Sequence, residues 1–266
     1  MSDFKPRGAL RVSNWKVYYS IPRFREVRSR NRGGESIIMD DLEKLKNEIL
    51  QCKKCVDIYP CRWRVVPGTG EKNSILFFIG LAPSRRGSDK TGIPFTRDKS
   101  SNAFRDIIKK LGVKYYLTYL VKCTPKKCNI KQKAAGYVTL DGRRLDRLFI
   151  DGTCVLTGKK CVGVNRPPRA SEIRNCIPYL KKEIELIKPR VIVPLGRITT
   201  KVILKMFKIK EKPEKMSKFN CKVFRRGETI VFPMYSPGYA IGKYSSYTLK
   251  DFEADFKKLV SLIEML

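Results

Sequence analysis

The chain has 266 residues, of which 42% are hydrophobic, and its 57 lysines and arginines against 25 acidic residues give a formal net charge of +32. No apolar run reaches the roughly 18 residues of a membrane-spanning helix, and the N-terminus lacks the apolar block of a secretory signal, so we expect a cytoplasmic protein with no membrane partner. A positive surplus of this size destabilises a compact fold unless polyanions neutralise it, which predicts a nucleic-acid partner. A lysine-rich thermophile surface would instead pair lysine with glutamate, and the acids are too few for that here.

Residues 1–36 are predicted to form an extended basic arm in front of a body of residues 37–266. The arm carries nine lysines and arginines against three acids and shows no sustained helical or strand period. In an extended chain, at roughly 3.3 Å per residue, such side chains can reach many phosphates along a folded nucleic acid. The arginines of the arm that we expect to bind nucleic acid are Arg7, Arg11, Arg23, Arg25, Arg28, Arg30 and Arg32.

The body alternates helix and strand patterns. Apolar spacing predicts helices over residues 41–52, 101–112, 170–187, 198–207 and 248–266. Gly112 is expected to end the second helix, and Thr248 is expected to cap the start of the last one. Strands are predicted over residues 74–80, 115–121, 190–196 and 229–234. This alternation predicts an α/β fold with a mostly parallel central sheet and helices on both faces. Ligands of such sheets bind at the carboxyl ends of the strands, which here carry GLAPSRRG, KCTPKKC, LGRITT and MYSPGYA.

Two basic stretches interrupt this alternation. Residues 127–164 contain Asp-Gly turn signals between β-rich runs and are predicted to form a small insertion of paired strands within the body. Residues 208–226 interrupt the path to the fourth strand. The arginines of these stretches that we expect to bind nucleic acid are Arg143, Arg144, Arg225 and Arg226.

Nine cysteines in a chain without an export signal favour metal or cluster ligation over disulfides. The pair Cys52-Lys-Lys-Cys55 closes the first helix of the body, Cys123 follows the second strand, and Cys176 lies inside a helix. Because the chain has no histidine, a tetrahedral site would be all-thiolate, which suits either zinc or an iron–sulphur cluster.

The body contains a series of motifs, which read VPGTGEKNSILFFIGLAPSRRGSDKTGIPFTRD at 66–98, KCTP at 122–125 and NRPPRASEIRNCIPYLKKEIELIKPRVIVPLG at 165–196. In this order they resemble the iron–sulphur uracil-DNA glycosylases, the thermophile-type families four and five, across roughly residues 41–264. The resemblance implies a 4Fe-4S cluster that pins the first helix to the sheet, with the ligands Cys52, Cys55, Cys123 and Cys176. The other cysteines match no family ligand and are either core residues or part of a second metal site, namely Cys61, Cys128, Cys154, Cys161 and Cys221.

The same resemblance assigns roles at the carboxyl ends of the strands. Phe95 would stack on a flipped base, and Asp98 would position the attacking water. The other residues expected to line the base pocket are Gly80, Ala82 and Pro83. The alternative is that Asp98 only caps the helix that starts near Ser100 and that Phe95 is a core residue.

The chain departs from the family pattern at three positions. Ser236 stands where the family usually has the histidine that stabilises the negative charge on the departing uracil, and a serine hydroxyl replaces only part of such an electrostatic contribution. Arg86 stands where the thermophile branch often has histidine, and Arg97 replaces a glycine. We therefore expect these two arginines to crowd the pocket or to cap it with charge. Arg85 and Arg86 are also candidates for nucleic-acid binding.

Two functions are compatible with these patterns. The missing histidine, the arginines near the pocket and the net charge of +32 favour a nucleic-acid-binding protein in which catalysis has decayed. It would be monomeric within any assembly and bound to a structured RNA in preference to DNA, with the ribosome as a candidate partner. The alternative is an active uracil-DNA glycosylase that hydrolyses the N-glycosidic bond of deaminated bases in base-excision repair, with Asp98 and Ser236 as catalytic residues.

Overall fold

The computed structural model describes residues 40–56, 58–127, 149–150, 153–154, 163–212, 214–242 and 245–266. Residues Asp40–Leu266 belong to one compact unit. The predicted arm and the centre of the basic insertion lie outside the described residues, and with them Arg7, Arg11, Arg23, Arg25, Arg28, Arg30, Arg32, Arg143 and Arg144. Within the described ranges, no helix is long and apolar enough to cross a lipid bilayer.

A six-stranded sheet forms the centre of the body. The described strands are β1 (Thr69–Gly70), β2 (Leu76–Gly80), β3 (Tyr115–Tyr119), β4 (Lys126–Lys127), β5 (Phe149–Ile150), β6 (Thr153–Cys154), β7 (Val164–Asn165), β8 (Val191–Pro194), β9 (Phe224–Arg226) and β10 (Thr229–Val231). The order in the sheet is β1-β3-β2-β8-β10-β9. Its four inner strands are parallel, and the two edge strands pair antiparallel with their neighbours. At the basic insertion, β4 pairs with β7 and β5 pairs with β6, both antiparallel.

Helices cover the sheet between its strands. The described helices are α1 (Asp41–Leu50), α2 (Ser88–Thr91), α3 (Lys99–Ile108), α4 (Ala170–Ile187), α5 (Arg197–Met206), α6 (Pro237–Ala240) and α7 (Leu249–Glu264). α4 begins and ends at the predicted residues, and α7 begins after Thr248, whose hydroxyl accepts the N–H of Asp251 at 3.3 Å. Gly112 ends the turn that follows α3 with a φ of +69°, the left-handed conformation that favours glycine.

Side chains of β2 alternate between the two faces of the sheet. Phe78 packs against Phe104 of α3 and Phe256 of α7, with ring centroids 5.4 and 6.0 Å apart. Phe77 and Ile79 belong instead to the cluster that contains residues of α4 and α5. Because both faces are buried, every residue of β2 is apolar or glycine. The mostly parallel sheet with helices on both faces is therefore confirmed.

The sequence patterns did not predict the short edge strands and made the fourth strand too long. The edge strands β1 and β9 have two and three residues, too few to show a period of two. The fourth predicted strand was too long, because β10 ends at Val231 and Pro233 has no N–H for a ladder.

A buried ion pair joins β3 to α4. Lys122 Nζ lies 2.6 Å from Glu183 Oε2, and the two side chains are 2% and 1% exposed. Lys122 also donates to Thr118 Oγ1 at 2.5 Å, and Thr118 in turn donates to Glu183 Oε2 at 2.9 Å. The N–H of Gly68, which precedes β1, donates to Glu183 Oε1 at 3.1 Å. One carboxylate thus connects three segments of the body.

Replacing Glu183 with leucine should lower the free energy of unfolding by about 3–5 kcal/mol, because the charge of Lys122 would remain buried without its partner. Urea titration followed by circular dichroism measures this. The control is Glu48→Ala, which breaks the exposed pair with Lys182 and should cost less than about 1 kcal/mol. The double variant Lys122→Met with Glu183→Leu should recover most of the loss, and equal costs for Glu183→Leu and Glu48→Ala would contradict this account.

Candidate functional site

A pocket of about 420 Å³ opens at the carboxyl ends of the parallel strands. The loops after β2, β8 and β10 and the last residue of β3 form its walls, as expected for a sheet of this kind. The lining residues are Gly80, Leu81, Ala82, Ser84, Phe95, Asp98, Ser100, Ser101, Tyr119, Leu195, Gly196, Arg197, Ile198, Thr199, Ser236, Pro237 and Gly238. The pocket therefore brings Asp98, Phe95 and Ser236 together from distant parts of the chain.

Asp98 caps α3 and also lines the pocket. Its Oδ1 accepts the backbone N–H of Ser101 and the hydroxyl of Ser100, both at 2.8 Å. Its Oδ2 accepts the hydroxyl of Ser84 at 2.5 Å. Burial by itself would raise the pKa of Asp98, but the hydrogen bonds from Ser84, Ser101 and Ser100 outweigh it and hold the pKa below its ordinary value. The carboxylate is thus rigidly oriented and charged at neutral pH.

Phe95 is a core residue as well as part of the pocket wall. The side chain is 5% exposed, and its ring lies 4.7 Å from the rings of both Tyr119 and Phe104. Its backbone has a φ of +51°, which is uncommon for a residue other than glycine, and its N–H donates to the Tyr119 hydroxyl at 2.9 Å. A Cβ at Gly80 would lie 2.7 Å from the Tyr119 ring, so glycine is needed there for close packing.

Ser236 begins α6 and lies opposite the start of α5. Its side chain makes no capping hydrogen bond, and a Cβ added at Gly196 would be 3.4 Å from that of Ser236. Arg197, the first residue of α5, is exposed and lines the pocket beside it. Among the described lining residues, Asp98 and Arg197 are the charged side chains. The pocket therefore offers one carboxylate, one guanidinium and several hydroxyl groups.

Three expectations about this site need correction. Arg86 and Arg97 are exposed and are not among the lining residues, so they do not crowd the pocket. Arg97 has a φ of +75°, a backbone conformation that the glycine of the family pattern adopts more easily. Pro83 is buried but does not line the pocket, unlike Gly80 and Ala82.

The other described arginines that were expected to bind nucleic acid are exposed or partly exposed. Arg225 and Arg226 are exposed on the edge strand β9. The backbone N–H of Arg85 donates to Asn165 Oδ1 at 3.1 Å. These positions are compatible with phosphate contacts.

Sequence reasoning missed Tyr119, Arg197, Thr199 and Ser84. The strand ends that carry Tyr119 and Arg197 were identified, but their side chains were not singled out, because nothing local distinguishes a pocket residue from a neighbouring core residue. The tyrosine is buried, and desolvation raises its pKa to about 12.

A network around Asp255 positions the loop that carries Ser236. Asp255 on α7 is 3% exposed and accepts hydrogen bonds from Tyr247, Asn220 and Lys258. Asn220 Oδ1 in turn accepts the N–H of Tyr235 at 2.9 Å. Burial alone would raise the pKa of Asp255, but the bonds from Tyr247, Asn220 and Lys258 lower it. A buried carboxylate thus ties the loop after β10 to α7.

A second, smaller cavity is lined by cysteines. Cys52 and Cys55 follow α1, Cys123 follows β3 and Cys176 lies on α4, and all four line it. Burial raises the pKa of Cys123 to about 12 and that of Cys176 to about 11. Within the described ranges, no three Cys, Asp or Glu side chains are arranged around one metal-ion position. The four thiols come from three segments of the chain and line the same small cavity.

The other five cysteines fall partly inside and partly outside the described residues. Cys61 and Cys221 do not line this cavity. Cys128 and Cys161 are outside the described residues, and Cys154 is in β6. The predicted alternative of a second metal site thus falls largely outside the described part of the chain.

The site can now be compared with known proteins. Residues 67–260 match the Uracil DNA glycosylase superfamily. The chain is 32% identical to the Type-4 uracil-DNA glycosylase of Sulfurisphaera tokodaii, over 84% of this chain and 86% of the relative. It is 26% identical to the Type-4 uracil-DNA glycosylase of Archaeoglobus fulgidus, over 84% of this chain and 94% of the relative. Identity to the Type-5 uracil-DNA glycosylase of Pyrobaculum aerophilum is 26%, over 60% of this chain and 68% of the relative. The chain belongs to the uracil DNA glycosylase superfamily, as its motifs predicted.

Proposed function

We propose that the protein is an active uracil-DNA glycosylase, which hydrolyses the N-glycosidic bond of uracil in DNA. The observation that carries this proposal is the pocket in which Asp98, Ser236 and Arg197 meet at the carboxyl ends of the parallel strands. The names of the relatives support uracil in DNA as the substrate. The expectation of a catalytically decayed protein bound to RNA or to the ribosome gains no support from these relatives.

Asp98 is assigned the role of stabilising positive charge on the sugar and orienting the attacking water. Its Oδ1 accepts hydrogen bonds from Ser100 and Ser101, and its Oδ2 accepts one from Ser84. The carboxylate also lines the pocket, which is where a water or the substrate would meet it. Because the cap holds the carboxylate in place, it would not reorganise during the reaction. Capping and catalysis are compatible roles for this residue.

Departing uracil needs a partner for its developing negative charge. The chain has no histidine, so this charge must meet other groups. Ser236 offers a hydroxyl, Arg197 a cation, and the first turn of α5 its unpaired backbone N–H groups and the positive end of the helix dipole. We assign these three together the role that the family usually gives to histidine.

The basic surface is assigned to the DNA backbone. A net charge of +32 suits a polyanion, and phosphate contacts supply most of the non-specific affinity for DNA. Arg85, Arg86, Arg225 and Arg226 are the described candidates for such contacts, and the arginines of the N-terminal arm and of the insertion are further candidates.

We further propose that Cys52, Cys55, Cys123 and Cys176 hold a 4Fe-4S cluster. The fit rests on the donor set: four thiols from three segments of the chain line one cavity, and four cysteine thiolates are the usual ligands of such a cluster. When bound, the cluster would supply a cross-link between α1, the end of β3 and α4.

The glycosylase proposal predicts uracil release from a uracil-containing oligonucleotide, measured on a gel after alkaline cleavage of the abasic site. Asp98→Asn, which retains an acceptor for the helix cap but removes the charge, should lower the single-turnover rate by about 100-fold or more. Asp251→Asn changes an exposed aspartate in the first turn of α7 that does not line the pocket, and it should leave the rate unchanged. Ser236→His should raise the rate by about 10- to 100-fold.

The pH profile tests the assignment of Asp98 separately. Because its pKa lies below the ordinary 3.8, the carboxylate stays charged as the pH falls to that value, and the acid limb of the rate profile should lie below it. An acid limb above about pH 5 would contradict the role of Asp98. If neither the wild type nor Ser236→His releases uracil from single- or double-stranded DNA, the proposed activity is wrong.

The cluster proposal predicts that the protein, purified without oxygen, is brown, absorbs broadly near about 400 nm and contains about four irons per chain. Cys176→Ala should lose both iron and colour, because a ligand is removed. Cys221→Ala, which changes a half-buried thiol outside the cavity, should retain both. Colourless wild-type protein with about one zinc per chain would refute the cluster.

A further inference from the structure

We propose that Arg62 tunes the cluster site: its guanidinium donates a hydrogen bond to the Cys123 sulphur and, through that bond and its charge, raises the reduction potential of the cluster. Arg62 is not one of the four thiol ligands, so its role is electrostatic and positioning. The proposal rests on the proposed cluster, and the experiment below distinguishes a failure of the one from a failure of the other.

The geometry places Arg62 between two ligand segments. Its Nη1 donates to the carbonyl oxygen of Cys52 at 2.6 Å and to Cys123 Sγ at 3.5 Å. Cys52 follows α1, whereas Cys123 follows β3, so one guanidinium bridges two parts of the chain that each supply a thiol. A guanidinium presents several N–H groups in a rigid fork, which allows it to hold both acceptors at once.

Arg62 is buried, which strengthens its electrostatic interaction with the Cys123 sulphur. Arg62 is 7% exposed and lines the cysteine cavity, and its guanidinium lies 4.8 Å from the centre of the Tyr59 ring. Water therefore screens its charge little, and its interaction with a nearby sulphur is stronger than it would be at the surface.

Other polar neighbours of the cavity act differently. Lys122 also lines it, and its charge acts on Cys176, but its ammonium group lies 2.6 Å from Glu183 and donates hydrogen bonds to Thr118 and to the Tyr119 carbonyl, not to a sulphur. Asn175 Nδ2 donates to Cys55 Sγ at 3.5 Å, but its amide is neutral. Among the described side chains with a hydrogen bond to one of the four sulphurs, Arg62 is the charged one.

The charge of the cluster determines in which direction Arg62 shifts its reduction potential. A 4Fe-4S cluster with four thiolates carries a net charge of about −2 when oxidised and becomes more negative on reduction. Hydrogen-bond donors and cations near the sulphurs stabilise the more negative form more strongly, which raises the reduction potential. Removing Arg62 should therefore shift the potential in the negative direction and make the cluster easier to oxidise.

The test uses full-length protein purified without oxygen. Midpoint potentials of the cluster are measured by film voltammetry in the wild type, Arg62→Met and Arg62→Lys. We expect Arg62→Met to shift the potential to more negative values and Arg62→Lys, which keeps the charge but not the fork, to shift it less. The half-life of the absorbance near about 400 nm in air should shorten several-fold in Arg62→Met. The matched control is Lys54→Met, which removes an exposed cation from the same cysteine loop and should change neither quantity.

The potentials of the variants and the iron content of the wild type show whether the role of Arg62 or the cluster itself is wrong. Arg62→Met protein that contains the cluster at the wild-type potential would overturn the proposal, and so would an equal shift in Lys54→Met. If Arg62→Met takes up no iron, Arg62→Gln, which keeps an N–H donor without the charge, is measured in its place, and a wild-type potential again overturns the proposal. Wild-type protein without iron refutes the cluster itself, whatever the Arg62 variants show.

Discussion

The buried ion pair between Lys122 and Glu183 is the contact on which both sites depend, because it holds the carboxyl end of β3 against α4. From here the chain supplies Tyr119 to the pocket and Cys123 to the cysteine cavity, with Lys122 between them. Lys122 also donates to the Tyr119 carbonyl at 2.8 Å, so the pair and the pocket wall are directly connected. Neither charge is exposed to water, and each would be costly without the other. The two sites therefore share one anchor in the core.

The electrostatics of the pocket follow from the topology of the sheet. Parallel strands end at one edge, and the chain then turns into helices that begin there, so α3, α5 and α6 all start at the pocket. Helix N-termini carry partial positive charge and unpaired N–H groups. Asp98 accepts a hydrogen bond from the backbone N–H of Ser101 at the N-terminus of α3. This bond helps to keep the half-buried carboxylate ionised. The start of α5, with its partial positive charge, also borders the pocket.

The pocket offers other polar groups near Ser236, where the family usually has a histidine. The arginines expected to block the pocket are exposed and outside it, whereas Arg197, which was not singled out, lines it. The loop that bears Ser236 is also well supported, because Asp255 holds Tyr247 and Asn220, and Asn220 holds the backbone of Tyr235. These features support the proposed activity.

The sequence by itself determined the class of fold, the family and the groups of residues at the strand ends. Buried strands read as continuous apolar runs, long helices show a strong period, and the motif residues are local, so these features need no tertiary information. Thr248 and Gly112 were likewise identified because a cap depends on a few neighbouring residues. Only the tertiary structure decided that Arg197 and Tyr119 line the pocket, that Arg86 and Arg97 do not, and that Arg62 reaches Cys123. These facts depend on where a side chain points and on what is packed opposite it from a distant segment. A one-dimensional pattern contains neither, because the same arginine or tyrosine fits an exposed turn, a core or a pocket wall equally well.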